Sequence, residues 1–252
     1  MLPASIDFPA LAIVLTGALL AGFTTGFAGF GTGLVASGLW FLALPAPMVP
    51  PLIALASVAA QLVGVITVRK AFAWRRAAPF LLGGVIGIPL GVIALSRVAP
   101  DLLRAIVGVF LVAYASYQLA LAGRQRIGDW GGRAVDSLVG IGGGFLGGFV
   151  GLSGPPPLIW LQLKGGPSDQ QRAVYQPFNL VVLALASLGM GIGGQVTVDV
   201  LWVAALCLPV VLISSWAGAR IYVGVSETLF QNIVLGLLFA SGTILVAQEM
   251  MG

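Results

Sequence analysis

Two short stretches of the chain place hydroxyls and glycines where a helix cannot continue. The first holds Thr24, Thr25, Gly29, Gly31, Thr32 and Gly33; the second holds Ser153 and Gly154 ahead of Pro155-Pro156-Pro157. Two such breaks meeting inside a helical protein would aim half-helix N-termini and free N–H groups at a common point. Helix N-termini carry partial positive charge and bind anions without any basic side chain. The hydroxyls of Thr24, Thr25, Thr32 and Ser153 can add donors. Gly29, Gly31, Gly33 and Gly154 let a ligand come close to the backbone. Gln61 and Asn179 open similar stretches, Gln61-Leu62-Val63 and Asn179-Leu180-Val181, and are expected to face the breaks. The chemistry this set suits is recognition of a small oxyanion.

Helix packing competes with that reading. Gly22-xxx-Gly26, Gly29-xxx-Gly33, Gly144-xxx-Gly148 and Gly147-xxx-Gly151 are small-xxx-small patterns that bring helices close together. Gln61 and Asn179 can equally act as interhelical hydrogen bonds, typically under about 1–2 kcal/mol each. The proline run is different. Three residues without an N–H cannot continue a helix, so an interruption there is nearly forced.

The elements that must position these residues come as a duplication. Gly22-Phe23-Thr24-Thr25-Gly26-Phe27-Ala28-Gly29 recurs 122 residues later as Gly144-Phe145-Leu146-Gly147-Gly148-Phe149-Val150-Gly151, with five of eight positions identical. A glycine-interrupted apolar segment in corresponding positions of two halves is the best sequence pointer to a transporter binding site. Apolar segments run approximately 8–27, 32–44, 48–68, 77–96 and 102–122, then 134–152, 156–163, 173–194, 198–218 and 229–248. The expected organisation is a first membrane repeat over 1–123, a cytoplasmic linker over 124–133 and a second membrane repeat over 134–252. Gly83, Gly84, Gly87, Pro89 and Gly91 make the third long apolar segment bendable.

Composition sets the class. Hydrophobic residues make up 59% of the chain and charged residues 8%, with a mean hydropathy of +1.06; soluble domains carry about 25% charged residues. No formal charge lies between Asp7 and Arg69, room for several spans at about 20 residues each. The chain is therefore expected to sit in the lipid bilayer as an all-α polytopic protein. Its net charge of +4 comes from Lys and Arg in short loops, where they orient a membrane chain, so no nucleic-acid partner is expected. The N-terminus lacks the basic region of a secretory signal, so the first apolar segment is expected to stay as a helix.

Charge also decides the topology. If each broken segment crosses once, with the N-terminus inside, seven Lys/Arg lie inside and five outside. If each forms a hairpin, re-entrant or crossing twice, with the N-terminus outside, ten lie inside: Arg69, Lys70, Arg75, Arg76, Arg124, Arg126, Arg133, Lys164, Arg172 and Arg220. Only Arg97 and Arg104 then remain outside, as the positive-inside rule expects. The hairpin reading makes the halves inverted repeats, each a broken hairpin plus three transmembrane helices, the arrangement behind many alternating-access carriers. Trp40, Trp160, Trp74 and Trp202 are expected near the membrane interfaces. Asp136, Asp199, Glu227, Arg97, Arg104 and Arg220 fall near segment ends, where solvated positions are expected.

Several classes drop out. The chain has no His and a single Cys, Cys207, which removes His-based metal sites, Ser-His catalysis and an internal disulfide. No convincing nucleophile–base set and no Walker A loop occurs, so neither an enzyme nor direct use of ATP is expected. No cofactor is expected. A secondary transporter leads, and a passive channel for small anions or neutral solutes is the alternative; a homodimer is compatible with either.

The paired motifs, Gly22 through Gly33 and Gly144 through Pro155, resemble the signatures of the sulfite exporter TauE/SafE family, also called the toluene sulfonate uptake permease family. The resemblance extends over the whole chain: length, duplicated halves, basic central loop and glycine motifs. It implies a prokaryotic plasma-membrane permease for sulfite, organosulfonates or related sulfur-containing anions. Family motifs usually read Gly-hydrophobic-Gly-Gly-Gly. Here Phe30-Gly31-Thr32-Gly33 and Leu152-Ser153-Gly154-Pro155 put hydroxyls at glycine positions, an expected means of tuning the substrate. Thr32, Gly33, Ser153 and Gly154 form the expected core of the site, with Gln61 and Asn179 alongside.

Overall fold

A computed structural model describes residues 7–68, 72–120, 127–128, 130–221 and 227–251. Ten α-helices and one short 3-10 turn, Ala46–Met48, make up the described fold, with no strand among the described residues. The helices are α1 (Phe8–Ala28), α2 (Thr32–Ala43), α3 (Val49–Val68), α4 (Trp74–Leu95), α5 (Pro100–Ala120), α6 (Gly132–Val150), α7 (Pro155–Lys164), α8 (Ser168–Ile192), α9 (Val198–Ile221) and α10 (Glu227–Met251). They fall on the ten expected apolar segments. The largest shift is at α8, which begins at Ser168 rather than 173 because its first turn is polar and invisible to hydropathy. Arg69, Lys70, Arg124 and Arg126 lie outside the described residues.

Among the described residues, six helices are long and apolar enough to cross a membrane: α1, the 3-10 turn with most of α3, α4, α5, α8 and α9. The chain is a multi-pass membrane protein. α6 is of similar length but carries seven glycines, which dilute its hydropathy while serving its packing. α2 and α7, at 12 and 10 residues, extend only about 18 and 15 Å at 1.5 Å per residue. Neither reaches across a hydrocarbon core of about 30 Å, so both are half-helices.

Each half-helix turns back along the helix before it. α1 ends at Gly29 (φ 80°) and α6 at Gly151 (φ 75°), left-handed caps that favour glycine. The indole of Trp40 in α2 donates to the Val14 carbonyl of α1 at 2.9 Å. The Trp160 indole in α7 donates to Asp136 Oδ1 of α6 at 2.7 Å, and Lys164 Nζ meets the same oxygen at 2.7 Å. These contacts correct two expectations. Trp40 and Trp160 are buried and latch the hairpins instead of anchoring at the interface, since their N–H groups find partners inside the protein. Asp136 is likewise buried, because two donors replace its water. Trp74 and Trp202 are about half exposed.

The two hairpins pack across the molecule, α6 on α4 and α1 on α9. A Cβ on Gly83, Gly87 or Gly91 of α4 would overlap the α6 backbone, and one on Gly140, Gly144 or Gly148 would overlap the α4 backbone. Gly22 and Gly26 meet α9 in the same way, and Gly218 meets α1. The repeated upstream glycines are therefore packing residues, close-contact seams like those of membrane helix pairs. α3 and α8 fill the middle, α3 against α9 and α4 against α8, while α5 pairs with α10. Residues 73–76 lie beside 170–173: Ala73 N donates to Ala173 O at 2.9 Å and Arg76 reaches Gln170 at 3.4 Å.

Candidate functional site

At the first break, side chains of α3 and α8 cover the exposed end of α1. Arg172 NH2 donates to Phe27 O at 2.7 Å, Tyr175 OH to Ala28 O at 2.9 Å, and Gln61 Nε2 to Gly29 O at 3.3 Å. Three terminal carbonyls that the helix leaves without partners are thus bound. Space here is tight: a Cβ on Gly29 would lie 2.6 Å from Gln176 Nε2 and 2.7 Å from Arg172 Nε. On the other side of the break, the Thr25 hydroxyl accepts the Thr32 N–H at 2.7 Å and shares a hydrogen bond with the Thr32 hydroxyl. The first donor of α2 is therefore already used. Thr24 donates to Leu20 O within its own helix at 2.7 Å.

The second break is built differently. Ser153 Oγ donates to Asn179 Oδ1 at 3.0 Å, and α7 starts directly on Pro155, Pro156 and Pro157. Prolines have no N–H, so this N-terminus lacks the three donors a helix start usually presents. The expectation of two N–H-rich helix ends facing one anion is corrected on this side. Proline opens the half-helix and removes its anion-binding donors in the same step.

The breaks do meet. A Cβ on Gly33 would lie 2.7 Å from Leu152 Cδ2 and 2.9 Å from Gly151 O. Between them is a cavity of about 20 Å³ lined by Gly31, Thr32, Gly33, Ser57, Gln61, Gly151, Ser153, Gly154 and Asn179, among others. A single water needs about 10–15 Å³ of such space, so nothing larger than a water-sized species fits.

Next to it, sharing Phe30, Gly31 and Leu34, lies a cavity of about 130 Å³. An engineered cavity of about 150 Å³ accommodates benzene, so this space suits a ligand of a few heavy atoms. Its polar lining is Thr24, Tyr114, Gln118, Gln162, Gln171, Arg172, Ser168 and Tyr175, and α10 closes it with Val234, Leu235 and Leu238. Gln118 links Tyr114 OH (3.1 Å) and Gln162 (3.2 Å), tying α5 to α7 across the cavity. Arg172, 8% exposed, puts a guanidinium into this lining.

Gln171 also lines a wide opening of about 690 Å³ together with Arg75, Arg76, Arg133, Lys164 and Asp136. Four cations against one carboxylate make this mouth electropositive, and a concave basic surface concentrates anions near it.

A family model, sulfite exporter TauE/SafE, matches residues 14–245 of the chain. The chain belongs to the TauE/SafE family. No match was found among curated proteins or among solved structures.

Within this TauE/SafE protein, the ten residues expected to form the site separate into two neighbouring places. Gly31, Thr32, Gly33, Gln61, Ser153, Gly154 and Asn179 surround the water-sized cavity. Thr24 and Gly31 face the larger one, while Thr25 and Gly29 hold the first break together. Arg172, Tyr175, Tyr114, Gln118 and Gln162 were not foreseen. Arg172 counted as a loop charge because hydropathy starts α8 too late. The signal was its spacing: Arg172, Tyr175, Gln176 and Asn179 follow a one-face helical period of i, i+3, i+4 and i+7.

Proposed function

We propose that this TauE/SafE protein is a secondary transporter of a small sulfur-containing anion, sulfite or a small organosulfonate, working by alternating access in a prokaryotic plasma membrane. The observation that carries the proposal is Arg172, buried in a cavity of about 130 Å³ at the first break. A guanidinium presents a planar fork of donors that matches an oxyanion. Hydrogen bonds from such a charged donor are about twice as strong as neutral ones. Hydroxyls and amides of Thr24, Tyr114, Gln118 and Tyr175 complete a polar shell around the remaining oxygens. An arriving anion competes with the Phe27 carbonyl for Arg172, which ties binding to the end of α1.

Support for inverted halves comes from the reciprocal packing, in which the first helix of each half lies on the fourth of the other. The ten-to-two distribution of Lys and Arg agrees with it. In this arrangement the seams α1–α9 and α4–α6 each join one half to the other, so rocking the hairpins against the remaining helices would expose the cavity alternately. Loading from the cytoplasm would pass the basic mouth and Gln171.

The test is counterflow in proteoliposomes with labelled sulfite, a small organosulfonate and a carboxylate of matched size. Saturable exchange of the sulfur anions, excluding the carboxylate and lost in Arg172→Gln, is the expected result. Non-saturating flux without counterflow would replace the carrier with a channel.

A further inference from the structure

We propose that the water-sized cavity between the two breaks is a site for a monovalent cation of sodium size, bound together with the anion in the larger cavity beside it. The starting observation is Ser57. Ser57 is 3% exposed and lines this cavity, and its buried hydroxyl has no hydrogen-bond partner among the described residues. A buried polar group left unsatisfied is costly, so a ligand for this oxygen is expected.

The surrounding groups favour a cation over an anion. Pro155, Pro156 and Pro157 contribute no N–H, and the Thr32 N–H is taken by Thr25. Gln61 spends its amide nitrogen on Gly29 O, leaving its amide oxygen. Ser153 spends its proton on Asn179, leaving lone pairs. The Gly151 carbonyl, at the C-terminal end of α6, lies against Gly33. Unwound backbone carbonyls and half-helix C-terminal ends coordinate the sodium ion in transporters built on broken helices. Size agrees, since about 20 Å³ excludes an oxyanion.

The placement also makes the two ligands interdependent. The cavities share Phe30, Gly31 and Leu34, so cation and anion lie close together in a low-dielectric interior. Without the anion, the Arg172 charge disfavours the cation; with it, that repulsion is cancelled. Coupling between such sites typically changes affinity about 5–150-fold. This interdependence rests on the anion assignment above, whereas the cation site itself does not.

Thermal unfolding of the detergent-solubilised full chain decides the matter, in NaCl, KCl and choline chloride at equal ionic strength, with and without sulfite. The expected result is a saturable rise in Tm in Na⁺ alone, of about 3–5 °C at ten times the dissociation constant. That rise should be enlarged by sulfite and absent in Ser57→Ala. Ser153→Ala is the second variant should Ser57→Ala fail to fold. Identical Tm in the three salts would overturn the proposal and leave the cavity to a structural water. A sulfite-dependent rise in choline would still stand in that case, which separates failure of the cation site from failure of the anion site.

Discussion

The two breaks share a backbone plan but not a chemistry. Both end a long helix on a left-handed glycine and turn back into a half-helix. The first then gathers a cation, a phenol and an amide from α3 and α8 onto its carbonyls. The second is set by three prolines and one serine–asparagine pair. Registering α8 on α3 by Asn179 and Gln61 pairs Arg172 with Ala54 and Tyr175 with Ser57. The charge that can hold an anion therefore exists in one half only. Two breaks with one backbone plan thus present different groups: a buried guanidinium on the last carbonyls of α1 in one, and three prolines in the other.

The comparison predicts unequal responses at the breaks but equal ones at the seams. Gly26→Val in α1–α9 and Gly144→Val in α4–α6 both drive a side chain into backbone of the facing helix, which cannot rotate away. Each should cost more than the roughly 1–3 kcal/mol of ordinary overpacking and abolish a monodisperse peak in size-exclusion chromatography. A well-folded Gly144→Val protein would show that the seam is not this close.

Next in size is Arg172→Gln. Hydrogen bonds to charged groups are worth about 1.5–3 kcal/mol, so affinity for the anion should fall roughly 10–150-fold in equilibrium binding. Ala54→Ser at the matched, fully buried position, where a small hydroxyl can bond back to its own helix, should leave affinity within about 3-fold. Equal losses at both positions would erase the asymmetry.

Asp136→Asn tests the second hairpin on its own. It weakens the contact with Lys164 and Trp160 at a cost of about 1–3 kcal/mol. Tm should drop by about 3–8 °C, with anion affinity unchanged. A loss of affinity without a loss of Tm would place the latch in the binding step instead. The smallest effect is expected for Thr32→Val combined with Ser153→Ala, which line the water-sized cavity and not the larger one. Sulfite affinity should fall by no more than about 5–10-fold, within the range of indirect coupling, and binding titrations with and without Na⁺ would locate that loss in the cation.

Much of this architecture was legible in order of residues. Helix periods and charge gaps place ten segments, and Pro155 to Pro157 compel a break wherever they fold, because proline lacks the donor a helix needs. The glycine repeats were ambiguous by nature. Gly144 satisfies a packing motif and a binding-site motif with the same atoms, and only the backbone of Gly84 facing it separates the two. Trp40 and Trp160 were misread for a similar reason, since an indole near a helix end suits an interface or a buried acceptor equally well.

What the chain determined by itself is local: apolar length, the positions of interruption, the count and loop placement of charges, and membership of a duplicated membrane class. These follow from per-residue properties that act over a turn or two of helix. The tertiary structure alone decided which groups remain available. It consumed the Thr32 N–H with Thr25, set Arg172 on the end of α1, left Ser57 without a partner among the described residues and divided the polar space into two cavities. Those outcomes depend on contacts that form only once the chain has folded, across a break as for Thr25 with Thr32 or across 145 positions as for Arg172 with Phe27, where hydrogen-bond geometry rather than residue type settles which atoms face a ligand.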